Sequence, residues 1–397
     1  MTIRMSERRT SMLGALLATL GPISMSLYTP AMPELVQAFA TSEAAIKLTL
    51  SFYFAGFAFA QLLAGPFSDA FGRRAATIVF LGIYLAGSLL CAAAGSVEIL
   101  LAGRLIQGIG ASVGMTVARA IVRDQFVGEE STRIMNLIGI MLAIGPAMAP
   151  TLGGLALAAF GWQSVFFMMV GFGVIACTAT MIFMAETSVP DRARAYPRPL
   201  IRAYAMLISD SRFVAAALVM AGAVGALYTQ AIMLPFILIQ KVGLSPTAFG
   251  VGMIMQSGAY FSGSVALRFF TRRFGGEQAV RLGLALIGTG SLMIVVSAHF
   301  IAPFFLSIML PVAVYTFGIA FVTPHMSTSA MFPFPHIAGS ASAMLGFIQM
   351  GTGFLGGVLA AFIGSPLLAF GTIIPVMGLL SILAYVWFQH AAGRAAG

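Results

Sequence analysis

The chain has 397 residues, of which 59% are hydrophobic and 8% are charged, whereas an ordinary soluble domain carries about 25% charged residues. This composition excludes a soluble globular protein and indicates a polytopic membrane protein. The net charge of +9 does not indicate nucleic-acid binding, because the arginines are scattered over short loops and form no basic face.

The apolar runs predict about twelve membrane spans. A hydrocarbon core about 30 Å thick requires about 20 apolar residues per helix, and the chain with its short loops accommodates about twelve such helices. The predicted spans are 11–32, 46–67, 75–95, 98–121, 133–157, 163–185, 212–236, 246–270, 279–298, 302–323, 338–361 and 367–389.

Basic residues are distributed unevenly over the two sides of these spans. Of the 21 Lys and Arg, 18 fall on the side of both termini, Lys47 and Lys241 fall on the other side, and Arg104 lies inside span 4. Because cytoplasmic loops are rich in Lys and Arg, both termini are predicted to be cytoplasmic. We therefore expect a multi-pass protein of the bacterial inner membrane, with lipids as its surroundings.

A polar stretch at mid-chain, 186–211, predicts a cytoplasmic linker between two six-helix bundles, 1–185 and 212–397, because three prolines interrupt any continuous helix there. A faint repeat supports two halves. At an offset of 203 residues, Phe71-Gly72 falls on Phe274-Gly275, and Leu152-Gly-Gly154 falls on Leu355-Gly-Gly357. These matches are either chance or the trace of two parallel halves related by an axis along the membrane normal.

The stretch 65–74 places one acid and two arginines between two apolar runs. It predicts a tight surface loop in which Asp69 either stabilises the next helix or pairs with an arginine, and in which Gly65 and Gly72 permit close approach and a sharp turn. The segment resembles the loop between the second and third helices of major facilitator transporters. That resemblance implies a conformational latch, whereas the alternative is an ordinary positive-inside loop. The predicted latch residues are Gly65, Asp69, Gly72, Arg73, Arg74, Arg123 and Asp124.

Span 4 contains an arginine several residues inside an apolar run. A charge there is costly, so Arg104 is predicted to face a protein interior or an aqueous cavity, with Gln107 one turn further on the same face. The alternative is that Arg104 reaches to the outer interface. The Arg-x-x-Gln-Gly pattern resembles a second major facilitator motif, which implies that Arg104 lies near the central cavity and takes part in coupling.

Span 5 carries two adjacent stripes of small residues and prolines. One nearly bare face lets a neighbouring helix approach closely, and two prolines remove backbone hydrogen bonds and permit a bend. Static packing of small residues is the alternative. The element resembles that of exporters in the drug:proton antiporter branch. The predicted packing and hinge residues are Gly145, Pro146, Pro150, Gly153 and Gly154.

Three further segments, 28–33, 119–124 and 338–343, resemble those of the bicyclomycin and chloramphenicol resistance exporters. The resemblance implies an all-α polytopic fold with twelve transmembrane helices in two pseudo-symmetric six-helix bundles. It also implies an exporter of small molecules, which we expect to act as a monomer. Arg119, Arg123 and Asp124 then serve either as a cytoplasmic gate or anchor or as a plain interfacial ion-pair cluster.

The sequence departs from this family at Ser26, where the family usually has an aspartate. No carboxylate falls in mid-membrane, although a buried carboxylate is the commonest proton-coupling group. The remaining coupling candidates are Arg104, Glu34 and His325. Glu34 is alternatively a solvated cap, and His325 alternatively a structural residue.

Polar residues inside the spans predict either interhelical hydrogen bonds or a cavity wall. With Arg104 as the deeply placed charge, the substrate is expected to be neutral, zwitterionic or anionic. The candidate substrate-binding residues are Ser26, Tyr28, Tyr53, Gln61, Arg104, Gln107, Asn136, Tyr228, Gln230, Gln256, Tyr260 and Gln349.

These observations predict a secondary transporter that exports drug-like or natural small molecules, driven by protons, through alternating access by rocking of its two halves. The alternatives are an uptake permease for a siderophore, peptide fragment or sugar derivative, an exporter not driven by protons, and a channel or scaffold. No phosphate-binding loop, metal-ligand cluster or nucleophile–base pair is found, so we expect no enzyme activity, no cofactor and no metal.

Overall fold

The computed structural model describes residues 5–191 and 196–394, and each regular element in these ranges is a helix. Arg4, Arg192 and Arg194, counted above among the basic residues, lie outside them. The α-helices are α1 (Glu7–Tyr28), α2 (Met32–Ala38), α3 (Glu43–Phe71), α4 (Arg73–Ala92), α5 (Val97–Ala111), α6 (Val113–Gln125), α7 (Gly128–Phe160), α8 (Gln163–Phe183), α9 (Pro197–Ser209), α10 (Ser211–Pro235), α11 (Pro246–Gly252), α12 (Ile254–Phe274), α13 (Gly276–Phe300), α14 (Phe305–Met331), α15 (Ala338–Ile363) and α16 (Pro366–Arg394).

Within the described ranges, eleven helical segments are long and apolar enough to cross a membrane. The eighth predicted span, 246–270, is not among them. It corresponds to α11 and α12, which follow each other with only Met253 between them. Arg268, Arg272 and Arg273 occupy the last turns of α12 and lower its mean hydropathy, although the helix takes its place in the bundle.

Successive membrane-crossing helices alternate in direction. We call the face at which α1 begins the terminal face and the opposite face the distal face. Buried apolar side chains form two clusters, one running from Met5 to Met184 and joined by Ile232 and Phe236, the other running from Leu207 to Phe388. Helices α1–α8 therefore form a first bundle, and helices α10–α16 form a second.

The two bundles repeat each other closely. The offset of 203 residues separates Glu43 from Pro246, the first residues of α3 and α11, and Arg73 from Gly276, the first residues of α4 and α13. Side-chain geometry repeats as well. The rings of Phe67 and Phe71 lie 4.6 Å apart at 39°, and those of Phe270 and Phe274 lie 4.7 Å apart at 36°. The offset seen in two short sequence matches thus extends to helix boundaries and ring packing.

The predicted tight loop at 65–74 is wrong in its extent. Helix α3 continues to Phe71, α4 begins at Arg73, and Gly72 alone makes the turn with φ 93°. Only glycine adopts this backbone conformation readily. The run 65–71 remains helical because Pro66 removes a single backbone donor, while the ion pairs described below hold the last turn of α3 against α4.

The linker contains a helix, α9, whose inner side packs against α10 and α15. The Tyr204 hydroxyl donates a hydrogen bond of 2.7 Å to the Leu62 carbonyl of α3. That carbonyl lacks its usual helical donor, because the residue four positions later is Pro66. Burial raises the pKa of Tyr204 to about 12, so the phenol keeps its proton and remains a donor. The linker is thereby attached to the first bundle.

Candidate functional site

A cavity of about 190 Å³ lies between the two bundles. Its wall includes three predicted binding residues, Gln61 of α3, Tyr228 of α10 and Gln349 of α15. Pockets for drug-sized ligands typically occupy about 300–1,000 Å³, so a ligand of that size requires the bundles to separate further. Much of the remaining wall is apolar and adaptable, with Phe57, Met115, Met220 and Met350 contributing.

Arg119 provides the charge in this cavity. The residue lies on α6, and its Nη1 donates a hydrogen bond of 2.8 Å to Ser342 Oγ of α15, so it joins the two bundles near the terminal face. None of the residues lining the cavity is acidic. The sequence predicts Arg104 as the only deeply placed charge and Arg119 as part of a gate, anchor or ion-pair cluster. The contribution of Arg119 to the cavity wall was missed, because it depends on how α6 and α15 meet.

At the distal face the bundles are pressed together where α7 crosses α11. A methyl group added at Gly154 would lie 2.5 Å from the Pro246 carbonyl oxygen, and one added at Gly250 would lie 2.5 Å from the Pro150 carbonyl oxygen. Such distances are too short for a real Cβ, so the reciprocal contact requires both glycines. The cavity lies on the terminal side of this contact.

A lysine forms a second distal contact between the bundles. The Lys47 side chain is fully buried, and its Nζ donates to the Gly364 carbonyl at 3.2 Å and lies 5.4 Å from the centre of the Phe236 ring. Glu43, one turn earlier, lies 3.6 Å from the same Nζ. Lys47, which the sequence places only on the side opposite the termini, therefore joins the start of α3 to the second bundle.

The two predicted stripes of span 5 face two different partners. Gly145 and Gly153 pack against α1, where Ile23 and the Leu27 backbone are their neighbours. Pro150 and Gly154 meet α11 across the bundle interface, and Pro146 is half-buried. The helix continues from Gly128 to Phe160 through both prolines. One stripe therefore holds α7 within its own bundle, and the other closes the distal face.

Arg104 is fully buried in the first bundle, and no part of it reaches the surface. Its guanidinium carbon lies 4.4 Å from the centre of the Tyr28 ring and 4.3 Å from that of Tyr53. The hydroxyl of Tyr28 bonds Thr49 Oγ1 at 2.5 Å, and that of Tyr53 donates to the Gly21 carbonyl at 3.0 Å. Because both phenols are anchored elsewhere, their ring faces hold the cation by cation–π attraction.

Gln107 provides the hydrogen-bond partner of Arg104. Its Oε1 accepts from Arg104 Nη1, while its Nε2 donates to Ser88 Oγ at 2.7 Å and lies 3.2 Å from Met169 Sδ. Nε and Nη2 of Arg104 have no hydrogen-bond partner among the described residues. The predicted pairing of Arg104 with Gln107 is present in the structure, but the pair lies inside the first bundle and does not line the cavity between the bundles.

The remaining predicted binding residues lie at several depths. Ser26 is buried in α1, and its carbonyl accepts from Thr29 Oγ1 at 2.9 Å. Gln230 and Gln256 are buried in the second bundle, and each has at least one amide atom without a hydrogen-bond partner in the described chain. Tyr260 is half-buried and Asn136 is exposed.

The two other coupling candidates lie outside the interior. Glu34 is exposed near the distal face, at the start of α2. His325 is half-buried at the terminal end of α14, in a groove of the second bundle that also includes Gly276. Neither side chain lines the cavity between the bundles.

Most of the predicted latch residues meet around Arg73, which is 3% exposed. Its guanidinium forms an ion pair with Asp69, donates to Ser68 Oγ at 2.6 Å, and donates from Nε to Asp124 Oδ2 at 3.0 Å. These contacts join α3, α4 and α6 at the terminal face of the first bundle. Gly65 packs near Thr116 of α6, and Arg123 is exposed.

Glu186 completes this cluster and was assigned by sequence only to the linker. Its carboxylate accepts from the backbone N–H groups of Arg73 at 2.6 Å and Arg74 at 3.2 Å, so it stabilises the N-terminus of α4. Arg74 Nη2 donates to the Met181 carbonyl at 2.6 Å. Asp69 was predicted either to stabilise the start of α4 or to pair with an arginine. In the structure Asp69 pairs with Arg73, and Glu186 stabilises the start of α4.

Comparison with known proteins decides the family. The model of the Major Facilitator Superfamily matches residues 14–357. The chain belongs to this superfamily. It is therefore a multi-pass membrane transporter and not an enzyme, and the predicted family and fold are confirmed.

Several bacterial relatives cover nearly the whole chain. An uncharacterized MFS-type transporter, YdgK of Bacillus subtilis, is 29% identical over 382 residues, covering 93% of this chain and 92% of the relative. Multidrug resistance protein MdtL of Salmonella heidelberg is 30% identical over 354 residues, covering 88% of this chain and 87% of the relative. Multidrug resistance protein D of Escherichia coli is 25% identical over 378 residues, covering 94% and 93%.

Solved structures share the fold at lower identity. The human organic anion transporter MFSD10 has a TM-score of 0.71 at 19% identity, covering 97% of this chain and 100% of that chain. The nucleoside transporter NupG has a TM-score of 0.73 at 15% identity, covering 96% and 99%.

Proposed function

We propose that this transporter exports drug-like or natural small molecules. The similarity to the multidrug resistance proteins MdtL and D supports this assignment. The observation that carries it is a cavity lined by both bundles, with the distal face closed by the α7–α11 contact on its far side. Because the distal side is closed, substrate is proposed to enter from the terminal face, where the Arg119–Ser342 hydrogen bond must first open.

Alternating access follows if the bundles rock about their shared interface. In the proposed cycle, the Gly154–Pro246 and Gly250–Pro150 contacts open at the distal face while the bundles close at the terminal face. The Arg73 cluster then keeps α3, α4 and α6 together as one rigid unit. We assign the conformational latch to this cluster.

The preferred substrate is neutral, zwitterionic or anionic. Arg119 contributes a positive charge to the cavity, and no lining residue is acidic, so a cationic substrate is repelled. The methionine and phenylalanine side chains of the wall accept apolar molecules of different shapes.

Proton coupling is part of the proposal, and Arg104 takes part in it as a fixed positive charge, because a guanidinium keeps its proton. Of the three candidates, Arg104 alone lies in the interior of a bundle, held between Tyr28 and Tyr53 without an acidic partner in the described chain. The terminal face is taken as cytoplasmic because 18 of the 21 Lys and Arg are predicted there. The protein is proposed to act as a monomer in the bacterial inner membrane.

Flux measurements in oriented vesicles test the function. We expect purified, reconstituted protein to move an anionic or zwitterionic drug from the terminal to the distal side, and an imposed pH gradient to accelerate this movement. Arg104→Lys keeps the charge but cannot stack between two rings as a planar guanidinium does, so the pH response should fall while binding remains. Flux in the opposite direction would identify an uptake permease, and flux indifferent to the gradient would refute proton coupling.

A further inference from the structure

A groove of about 390 Å³ opens at the terminal face of the second bundle, separate from the cavity between the bundles. It lies where α12 and α13 each pack on α14 while touching each other little. His325 and Thr328 of α14 line the groove, whereas Thr323 and Ser327 of the same helix line the central cavity. The two spaces therefore lie on opposite sides of α14.

The internal repeat explains why this groove has no arginine of α13 in its wall. In the first bundle the corresponding position is filled by Arg73, which bonds Ser68 and Asp124. At the offset of 203 residues, Ser68 corresponds to Thr271 and Arg73 to Gly276, and both line the groove. The second bundle thus keeps the helix geometry of the latch, but residue 276 is a glycine, and the imidazole of His325 lies where a side chain at that position would begin.

The groove walls favour an anion. Arg268 and His325 bring nitrogen donors, and Ser264, Thr271 and Thr328 bring hydroxyl groups that can rotate toward a ligand. None of the lining residues is acidic, and no described residue forms an ion pair with Arg268 or His325. The nearby Glu277 is paired with Arg281 at 2.6 Å and does not line the groove.

We propose that this groove binds a phosphate-bearing anion. Guanidinium and imidazole groups with neighbouring hydroxyls match the charge and the several acceptor oxygens of a phosphate. The source is either the headgroup of an anionic phospholipid in the leaflet at the terminal face or a free phosphate. The apolar wall formed by Leu267 and Phe321 lies beside these donors and suits the glycerol and upper acyl region of a lipid.

Thermal unfolding of the full-length protein in a zwitterionic detergent tests this site. The probes are dihexanoyl phosphatidylglycerol, dihexanoyl phosphatidylcholine and inorganic phosphate, each titrated separately. We expect a saturable rise in the unfolding temperature with phosphatidylglycerol. Its midpoint should move to about tenfold higher concentration in Arg268→Gln and in His325→Gln. Arg268→Lys, which keeps the charge, should restore part of the affinity.

Arg202→Gln is the matched control, because it removes one exposed positive charge from the same face outside the groove. An unchanged midpoint in this variant together with the shift in Arg268→Gln supports the site. A saturable effect of inorganic phosphate that Arg268→Gln also weakens supports the site and assigns the free anion as its source. Equal midpoints in all variants, or phosphatidylcholine acting as well as phosphatidylglycerol, would overturn the proposal. Arg268→Gln and His325→Gln change different helices, so one of these variants remains informative if the other unfolds without ligand.

Discussion

A bulkier side chain at the α7–α11 crossing should open the distal face. In Gly154→Ala the new methyl group would meet the Pro246 carbonyl oxygen at 2.5 Å, and in Gly250→Ala it would meet the Pro150 carbonyl oxygen at the same distance. Overpacking a close contact costs about 1–3 kcal/mol. A cost of about 2 kcal/mol, felt only when the distal face is closed, raises the ratio of open to closed molecules about 30-fold.

Distance measurements between spin labels report this shift. Cysteines introduced at Gly95 and Ala302, in exposed distal loops of the two bundles, carry the labels after the natural Cys91 and Cys177 have been replaced. We expect Gly154→Ala to lengthen the mean distance between the labels, and the double substitution with Gly250→Ala to lengthen it further.

Gly258→Ala provides the control for this experiment. This substitution raises helix propensity as much as the other two glycine-to-alanine changes do, but a Cβ at position 258 has no neighbouring atom within 4 Å. Its distance distribution should match that of the wild type. An unchanged distribution in the Gly154 and Gly250 variants would refute the idea that this contact holds the distal face closed.

Three further predictions concern charge and stability. Arg119→Gln should increase the apparent affinity for a monovalent cationic dye by about tenfold, because it removes the water-screened repulsion between the guanidinium and the dye. Equilibrium dye binding measures this affinity. Glu186→Ala should lower the free energy of unfolding by about 1–2 kcal/mol, since two N–H groups of α4 lose their acceptor, whereas the exposed Glu34→Ala should not; unfolding in denaturant compares them. Tyr204→Phe should cost about 1 kcal/mol, because the Leu62 carbonyl then lacks its only side-chain donor in the described chain, and the exposed Tyr196→Phe serves as its control in the same assay.

Each of these predictions has a clear contrary result. Unchanged dye binding in Arg119→Gln would remove the electrostatic basis of the proposed substrate preference. Equal stabilities for Glu186→Ala and Glu34→Ala would show that the bonds to α4 contribute nothing measurable. Equal effects of the two tyrosine substitutions would show that the linker is not held by the Tyr204 hydroxyl.

Features with a local or periodic cause could be predicted from the sequence. Long apolar runs determine the helices, since a single segment in lipid satisfies its own backbone groups only as a helix. The two stripes on α7 follow from a period of four residues, and their separate partners agree with that pattern. The pairing of Arg104 with Gln107 follows in the same way from helical spacing.

Features that depend on contacts between distant segments could not be predicted. Glu186 reaches α4 from more than a hundred positions along the chain, and Lys47 reaches Gly364 from more than three hundred. Nothing local distinguishes either side chain from an ordinary surface charge. The position of Arg119 in the cavity wall could not be predicted for the same reason, because only the packing of α6 against α15 places it there.

The location of Arg104 shows a further limit. An arginine inside an apolar span indicates a partner, but its position along the helix does not tell whether that partner lies within a bundle or between bundles. Here Tyr28 and Tyr53 enclose the guanidinium within the first bundle. The anchoring of their hydroxyls by Thr49 and Gly21 comes from tertiary packing alone.

Labelling of one cavity residue from each side of the membrane tests the central claim most directly. A single cysteine at Gln349, in the cavity wall, is exposed to a membrane-impermeant thiol reagent in right-side-out and in inside-out vesicles. We predict rapid labelling from the terminal face and slow labelling from the distal face, with distal labelling accelerated by Gly154→Ala. Equal labelling from both faces, without the Gly154 substitution, would indicate a channel. That result, or faster labelling from the distal face, would contradict a transporter closed at its distal face.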